Sequence, residues 1–144
     1  MKKVLVGALL SFVSVVSFAQ GKSIIIPSSV LHSFTGLYPE IKDVQWNYDE
    51  PNYEASFRLR NKTVTMFFDE SGYISEVKNE LQLFELPIDV SNLIGRKYSG
   101  WHIEKATHID MNGTAYYETI VKKETESVTL VFDRTGGLML TVMP

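Results

Sequence analysis

A nine-residue stretch in the middle of the chain recurs near its C-terminus, and this recurrence constrains the fold more than any other feature. Residues 64–72 read VTMFFDESG, and residues 128–136, 64 positions later, read VTLVFDRTG. Five of the nine positions are identical, and three more pair similar residues. At an offset of 60, further matches join Pro27 to Pro87, Val30 to Val90 and Tyr38 to Tyr98. Matches in the same order predict two diverged copies of one unit, at about residues 24–80 and 86–143.

Each copy is predicted to be one helix followed by four strands. Apolar residues recur at helical spacing after Pro27 and again after Pro87. Residues 53–59 alternate apolar and polar side chains, which indicates a strand with one buried and one wet face. The Asp-x-Ser/Thr-Gly sequences that end the two matching stretches are typical of hairpin turns. Residues 73–77 and 138–142 are predicted as the last strands, and residues 80–86 as the connection between the copies.

One such unit has little core of its own, so the two copies are expected to join their sheets edge to edge. The predicted fold is α+β, a tandem repeat of α-β-β-β-β units forming one long curved antiparallel sheet, with the helices packed on one face. Met66, Phe68, Leu130 and Phe132 are predicted to point into the core.

The first 19 residues are predicted to be a secretory signal peptide. Lys2 and Lys3 precede an uncharged, largely apolar run of 15 residues, and small residues at positions 17 and 19 suit cleavage after Ala19. The alternative is a membrane anchor, for which a run of about 20 residues is needed. We therefore expect a periplasmic or secreted protein, with residues 20–144 as a single domain and no stable membrane insertion after cleavage.

Composition narrows the possible partners and chemistry. Removal of the two N-terminal lysines leaves 12 basic and 17 acidic residues, a net charge of about −5. An acidic chain without a basic run is poorly suited to binding phosphates, so nucleic acid is not expected as a partner. The chain has no cysteine, which excludes disulfides, a thiol nucleophile and thiolate metal sites.

Taken together, these features resemble the PepSY-like, beta-lactamase-inhibitor-protein-like domains of Bacteroidetes periplasmic proteins. The resemblance rests on the signal peptide, the tandem helix-plus-four-strand units and the repeated V-T-x-x-F-D-x-[ST]-G hairpin, and it covers about residues 24–143. It implies a long antiparallel sheet and a role in binding or inhibiting another protein. It implies no catalytic residues.

No catalytic or metal-binding pattern emerges from the residues themselves. His102 and His108 lie six apart in a predicted strand, which would point them the same way but place them roughly 20 Å apart. That separation is too large for one metal with ligand bonds of about 2 Å. The sequence contains no G-x-S-x-G nucleophile elbow and no phosphate-binding loop. We therefore predict no enzyme activity, no metal site and no cofactor.

Aromatic residues are the remaining candidates for binding. Trp46 and Tyr48 share one strand face, and Phe67 lies opposite to Met66 and Phe68. The predicted binding residues are Trp46, Tyr48, Phe67, Tyr73, Trp101 and Tyr116. The alternative is that these rings pack under the helices or in the seam between the copies.

The leading functional hypothesis is a non-catalytic binding module that holds another exported protein or a peptide on the open face of its sheet, with an inhibitor-like role as one form of this. The alternative is a small-ligand or cell-envelope sensor module with an aromatic-lined pocket. An enzyme is the third hypothesis, and it would need acidic residues and histidine gathered around one cavity.

Overall fold

The protein is described by a computed structural model over residues 24–144, so the predicted signal peptide lies outside the described residues. Two α-helices and eight β-strands account for most of this region. The helices are α1 (Ser28–Leu37) and α2 (Ile88–Lys97). The strands are β1 (Val44–Asp49), β2 (Asn52–Leu59), β3 (Lys62–Phe68), β4 (Ile74–Leu81), β5 (His102–Met111), β6 (Thr114–Lys123), β7 (Glu126–Asp133) and β8 (Leu138–Val142). A short 3₁₀ turn, Leu83–Glu85, precedes α2.

All eight strands form one antiparallel sheet in chain order, from β1 at one edge to β8 at the other. The two halves of the chain join where residues 76–81 of β4 pair with residues 106–111 of β5. This confirms the predicted α+β class and the single long antiparallel sheet.

Both helices pack on the same face of the sheet, over two adjoining apolar cores. In the first half, Val30 and Phe34 of α1 are buried against β2 and β3. In the second half, Val90 and Ile94 of α2 are buried against β5, β6 and β7. The predicted core residues Met66, Phe68, Leu130 and Phe132 are at most 2 % exposed. Burial of side chains this large is the main stabilising term for such a fold.

Each helix is in close contact with a hairpin turn in its own half of the sheet, and the two turns are equivalent. In the β3–β4 turn, Asp69 Oδ1 accepts hydrogen bonds from the Ser71 amide and hydroxyl and from the Tyr73 amide. Gly72, at φ +85°, lies so close to α1 that an added Cβ would be 2.6 Å from the Ser29 carbonyl oxygen. A side chain at this position would therefore clash with the helix as well as strain the backbone.

The β7–β8 turn repeats this arrangement. Asp133 Oδ1 accepts hydrogen bonds from the amide and hydroxyl of Thr135 and from the Gly137 amide. Gly136, at φ +86°, approaches α2, and a Cβ there would be 2.8 Å from Asp89 Cβ. The element order and these turns recur in both halves, while the duplication of an ancestral unit stays a prediction.

Two local predictions were wrong. The strand predicted at residues 73–77 runs from Ile74 to Leu81, because its second half pairs with β5 across the junction. His102 and His108 do not point the same way, since the register shifts between Ile103 and Lys105. His102 lies opposite Lys122 and His108 opposite Tyr117, which face opposite sides of the sheet.

Candidate functional site

The sheet face opposite the helices, here called the open face, is divided into a polar part and a part that mixes apolar and polar side chains. Strand alternation and register assign side chains to it. The polar part, on β1 to β3, comprises Gln45, Asn47, Glu54, Ser56, Arg58, Thr63 and Thr65. The mixed part, on β5 to β8, has the apolar residues Ile109, Met111, Tyr116, Ile120, Val131, Leu140 and Val142, interspersed with Lys105, Thr107, Glu118 and Thr129. Phe67 of β3 and the charged residues of β4 lie between the two.

The centre of the open face is buried although both helices pack on the other side. Phe67 and Val131 are each 3 % exposed, and Ile109 is 1 % exposed. Side chains on a flat, uncovered sheet face would stay accessible, so neighbouring side chains must close over these three. Around them, Tyr116, Ile120 and Leu140 are half-buried and present apolar surface to solvent.

An ion pair within β4 and a cation–π contact from β4 to β3 lie at this centre. The Lys78 ammonium lies 3.4 Å from Glu76 Oε1 and 5.4 Å from the centroid of the Phe67 ring. Glu76 is only 6 % exposed. Burial raises the pKa of the Glu76 carboxyl, and the nearby charge of Glu118 raises it further, while Lys78 opposes both effects. The open face thus combines apolar surface with a shielded pair of charges.

Of the six aromatic residues predicted for binding, the structure places two on the open face. Phe67 lies on β3 at the centre of the face, and Tyr116 lies on β6 in the part formed by β5 to β8. Trp46 and Tyr48 share a strand face as predicted, but it is the helix side of edge strand β1. The Trp46 ring packs against Phe34 of α1 with centroids 5.5 Å apart.

The other rings lie at separate places. Tyr48 is 44 % exposed and contacts the Tyr53 ring at 4.8 Å. Tyr73 is exposed at the β3–β4 turn and donates a hydrogen bond from its hydroxyl to Asn112 Oδ1 at 3.1 Å. Trp101 packs on Tyr98 at the end of α2 and belongs to the helix-side core. The six rings therefore do not form one patch, and a binding role for any of them stays a prediction.

The sequence reasoning missed several open-face residues. The sequence did not single out four residues that lie at the centre of the face, namely Glu76, Lys78, Ile109 and Val131. Val131 could have been found, because it occupies the position that matches Phe67 in the nine-residue repeat. Ile109 could not, since its facing depends on the shift in register within β5.

A shallow cleft of about 460 Å³ lies beside the start of β1. Its lining combines the segment before β1 with residues of β1, β2 and β3, namely Glu40, Ile41, Lys42, Asp43, Gln45, Ser56, Phe57, Arg58 and Thr63. Phe57 is the only aromatic residue in this lining, so the cleft is not the aromatic pocket that the small-ligand hypothesis requires.

Residues 24–144 contain neither a metal-binding cluster nor a membrane-spanning helix. Within this range, no three His, Asp or Glu side chains lie close enough together to hold a metal ion. No helix in the same range is long and apolar enough to cross a membrane.

No protein-family model and no curated protein matches the chain, but solved structures do. A DUF2874 family protein of Bacteroides ovatus is 22 % identical with a TM-score of 0.75, over 83 % of this chain and 89 % of that one. A protein of Bacteroides eggerthii with a proposed periplasmic location is 18 % identical with a TM-score of 0.78, over 83 % and 90 % of the two chains. A BLIP-like protein of Bacteroides fragilis is 19 % identical with a TM-score of 0.70, over 84 % and 89 %. These likenesses show that the chain has the fold of BLIP-like and DUF2874 proteins, an open antiparallel sheet with two helices.

Proposed function

We propose that the chain is a non-catalytic periplasmic or secreted binding module that holds another protein or a peptide on its open face. The observation that carries the proposal is that no helix covers this face, where Tyr116, Ile120 and Leu140 stay partly exposed near the buried side chains of Phe67, Ile109 and Val131. Partly exposed apolar side chains beside polar ones are characteristic of interaction sites.

The distribution of side chains on the open face suits a protein ligand. Tyr116, Ile120 and Leu140 offer a ring and two aliphatic groups that a partner could cover, which is the composition of an interface centre. The polar residues of β1 to β3 would form one side of the rim. The Glu76–Lys78 pair, already largely desolvated, would lose little further hydration when a partner covers it.

The location is supported by the fold likeness to the Bacteroides eggerthii protein, and the signal peptide predicted from the sequence agrees with it. We also propose that the chain is related to PepSY-like domains and that it arose by duplication of a single α-β-β-β-β unit. Duplication would explain why the sheet is twice as wide as one unit and why only one face is covered. The small-ligand alternative gains no support from the polar cleft beside β1.

The proposal is tested by comparing two double variants in capture experiments from periplasmic extract of the source cells. The open-face variant combines Tyr116→Ala with Ile120→Glu. The control combines Leu31→Ala with Leu37→Glu, two exposed side chains of α1 on the other side of the molecule. We expect the parent and the control to retain the same protein and the open-face variant to lose it. Equal capture by all three, with folding confirmed by circular dichroism, would contradict the proposal.

A further inference from the structure

Strand β1 forms a regular, unblocked edge of the sheet. Its six residues pair with residues 52–57 of β2 without a shift in register. The opposite edge strand, β8, has five residues, and its pairing with β7 shifts between Val131 and Phe132. Short or bulged edges resist the addition of another strand, whereas a regular edge accepts one. Within the described chain, β1 is therefore the better template for an added strand.

The backbone of β1 has groups available for such pairing. Residues of an antiparallel strand alternately direct their peptide groups towards one neighbour and the other. The Tyr48 amide donates to Oδ1 of the preceding Asn47 at 2.9 Å, which indicates that it points away from β2. By alternation, Trp46 and Val44 direct their peptide groups to the same side. A flexible, exposed Asn side chain is a weak local substitute that an incoming strand can replace.

Side chains along the edge would give an added strand an alternating environment. Tyr48 and the partly exposed Trp46 present aromatic surface on the helix side. Gln45 and Asn47 are exposed on the open-face side. An added segment would therefore place apolar side chains against the two rings and polar side chains against the two amides, as in recognition by strand addition.

Carboxylates flank this edge at both ends. Glu40 and Asp43 precede β1, and Asp49 and Glu50 end it, all four exposed. Two basic side chains lie near the first two carboxylates and are engaged elsewhere: Lys42 donates a hydrogen bond to the Pro39 carbonyl oxygen at 2.7 Å, and Arg58 donates one to the Asn61 carbonyl oxygen. Two copies of this edge would repel each other, so a second copy of the chain is a poor occupant. A segment with basic residues at its ends is complementary.

We propose that the β1 edge binds an extended, cationic polypeptide segment of a partner as a ninth strand. This interaction surface is the backbone edge of β1 and shares only Gln45 and Asn47 with the polar part of the open face, so it goes beyond the proposed function. The partner segment would have alternating apolar residues at its centre and Lys or Arg at its ends.

The probe is the synthetic peptide Arg-Lys-Val-Thr-Val-Thr-Val-Lys-Arg, titrated at low ionic strength into the ¹⁵N-labelled protein. We expect amide shifts to change along residues 44–49 and not along β8. A peptide with Glu at every basic position should bind at least about tenfold more weakly, because charge pairing is lost at four positions. Two N-methylated versions, blocked on alternate residues, should differ, since only one set of amides faces β1.

Charge variants of the protein complete the test. Asp43→Asn combined with Asp49→Asn should weaken binding of the cationic peptide about twofold to tenfold. The control, Glu124→Gln with Glu126→Gln, removes the same charge at the β6–β7 turn and should bind like the parent. The open-face variant should also bind like the parent, which separates this proposal from the previous one. Shifts centred on the open face or on β8, equal binding of the acidic peptide, or no shifts at millimolar peptide would overturn it.

Discussion

The ammonium of Lys78 lies 3.4 Å from the carboxylate of Glu76 on the open face, and their side chains are only 19 % and 7 % exposed. A shielded ion pair contributes little net stability, because removing both charges from water offsets their attraction. Its position beside the Phe67 ring instead gives the centre of the open face a defined polar feature. This arrangement makes the pH dependence of stability a probe of the open face.

Replacing Glu76 by Gln should change how stability responds to acid. The pKa of Glu76 is raised above its ordinary 4.5, mainly by burial, so the folded protein binds this proton more tightly than the unfolded chain. As the pH falls through the raised pKa, the parent should gain stability relative to the variant. This gain should be complete below pH 4.5. Urea unfolding of both proteins between pH 7 and 4 measures this difference. A constant difference over the range would mean that Glu76 is not shielded.

The turn aspartates should show the opposite dependence. Hydrogen bonds, led by those from the Ser71 and Thr135 side chains, lower the pKa values of Asp69 and Asp133 below the ordinary 3.8. The stability that these two carboxylates contribute is therefore present above pH 3.8 and is lost as the pH falls through the lowered pKa values. The Asp133→Asn variant should have a lower unfolding midpoint than the parent at pH 7. The two midpoints should approach each other near pH 2. An undiminished gap at pH 2 would contradict this explanation.

Alanine at the hairpin glycines should test the contact between turn and helix. Gly72→Ala and Gly136→Ala combine a positive φ with a close approach to α1 or α2. Gly113→Ala is the matched control, since it has φ +78° but no heavy atom near the added Cβ. The control should lose about 1–2 kcal/mol of unfolding free energy, and the two hairpin variants should lose clearly more. Equal costs at all three positions in chemical denaturation would show that the helix contact is unimportant.

Phe68→Ala and Phe132→Ala should be similarly destabilising in the two halves. Both rings are completely buried at matching positions of the repeat. Each variant should lose about 3–5 kcal/mol of unfolding free energy. Phe84→Ala is the control, because that side chain is 87 % exposed and its loss should change stability by less than about 0.5 kcal/mol. A parent-like unfolding free energy in either core variant would mean that its half is assigned the wrong register.

Much of the architecture could be predicted because the repeat restricts both halves together. The pairing of 64–72 with 128–136 correctly located two core strands and two hairpins. The extent of β4 could not be predicted, since Glu80 and Leu81 pair with β5 alone, across the junction between the two halves. The facing of His102 likewise depends on a bulge that the alternation of residue types does not reveal.

The site was less predictable than the fold for a physical reason. A ring such as Trp46 suits an interface as well as a core, and only the position of α1 decides between them. Ile109 and Val131 are aliphatic residues of the type that fills protein cores, yet they lie on the open face. Residue type alone cannot distinguish the two faces of a sheet when both are partly apolar.

The most direct test of the central claim is site-specific photo-crosslinking in intact source cells. Benzoylphenylalanine replaces Tyr116 on the open face in one variant and Leu37 on the exposed surface of α1 in another. Irradiation is followed by mass spectrometry of the adducts. A discrete protein adduct formed from position 116 and absent from position 37 is the predicted result. A partner crosslinked only from position 37 would contradict an open face that holds the partner.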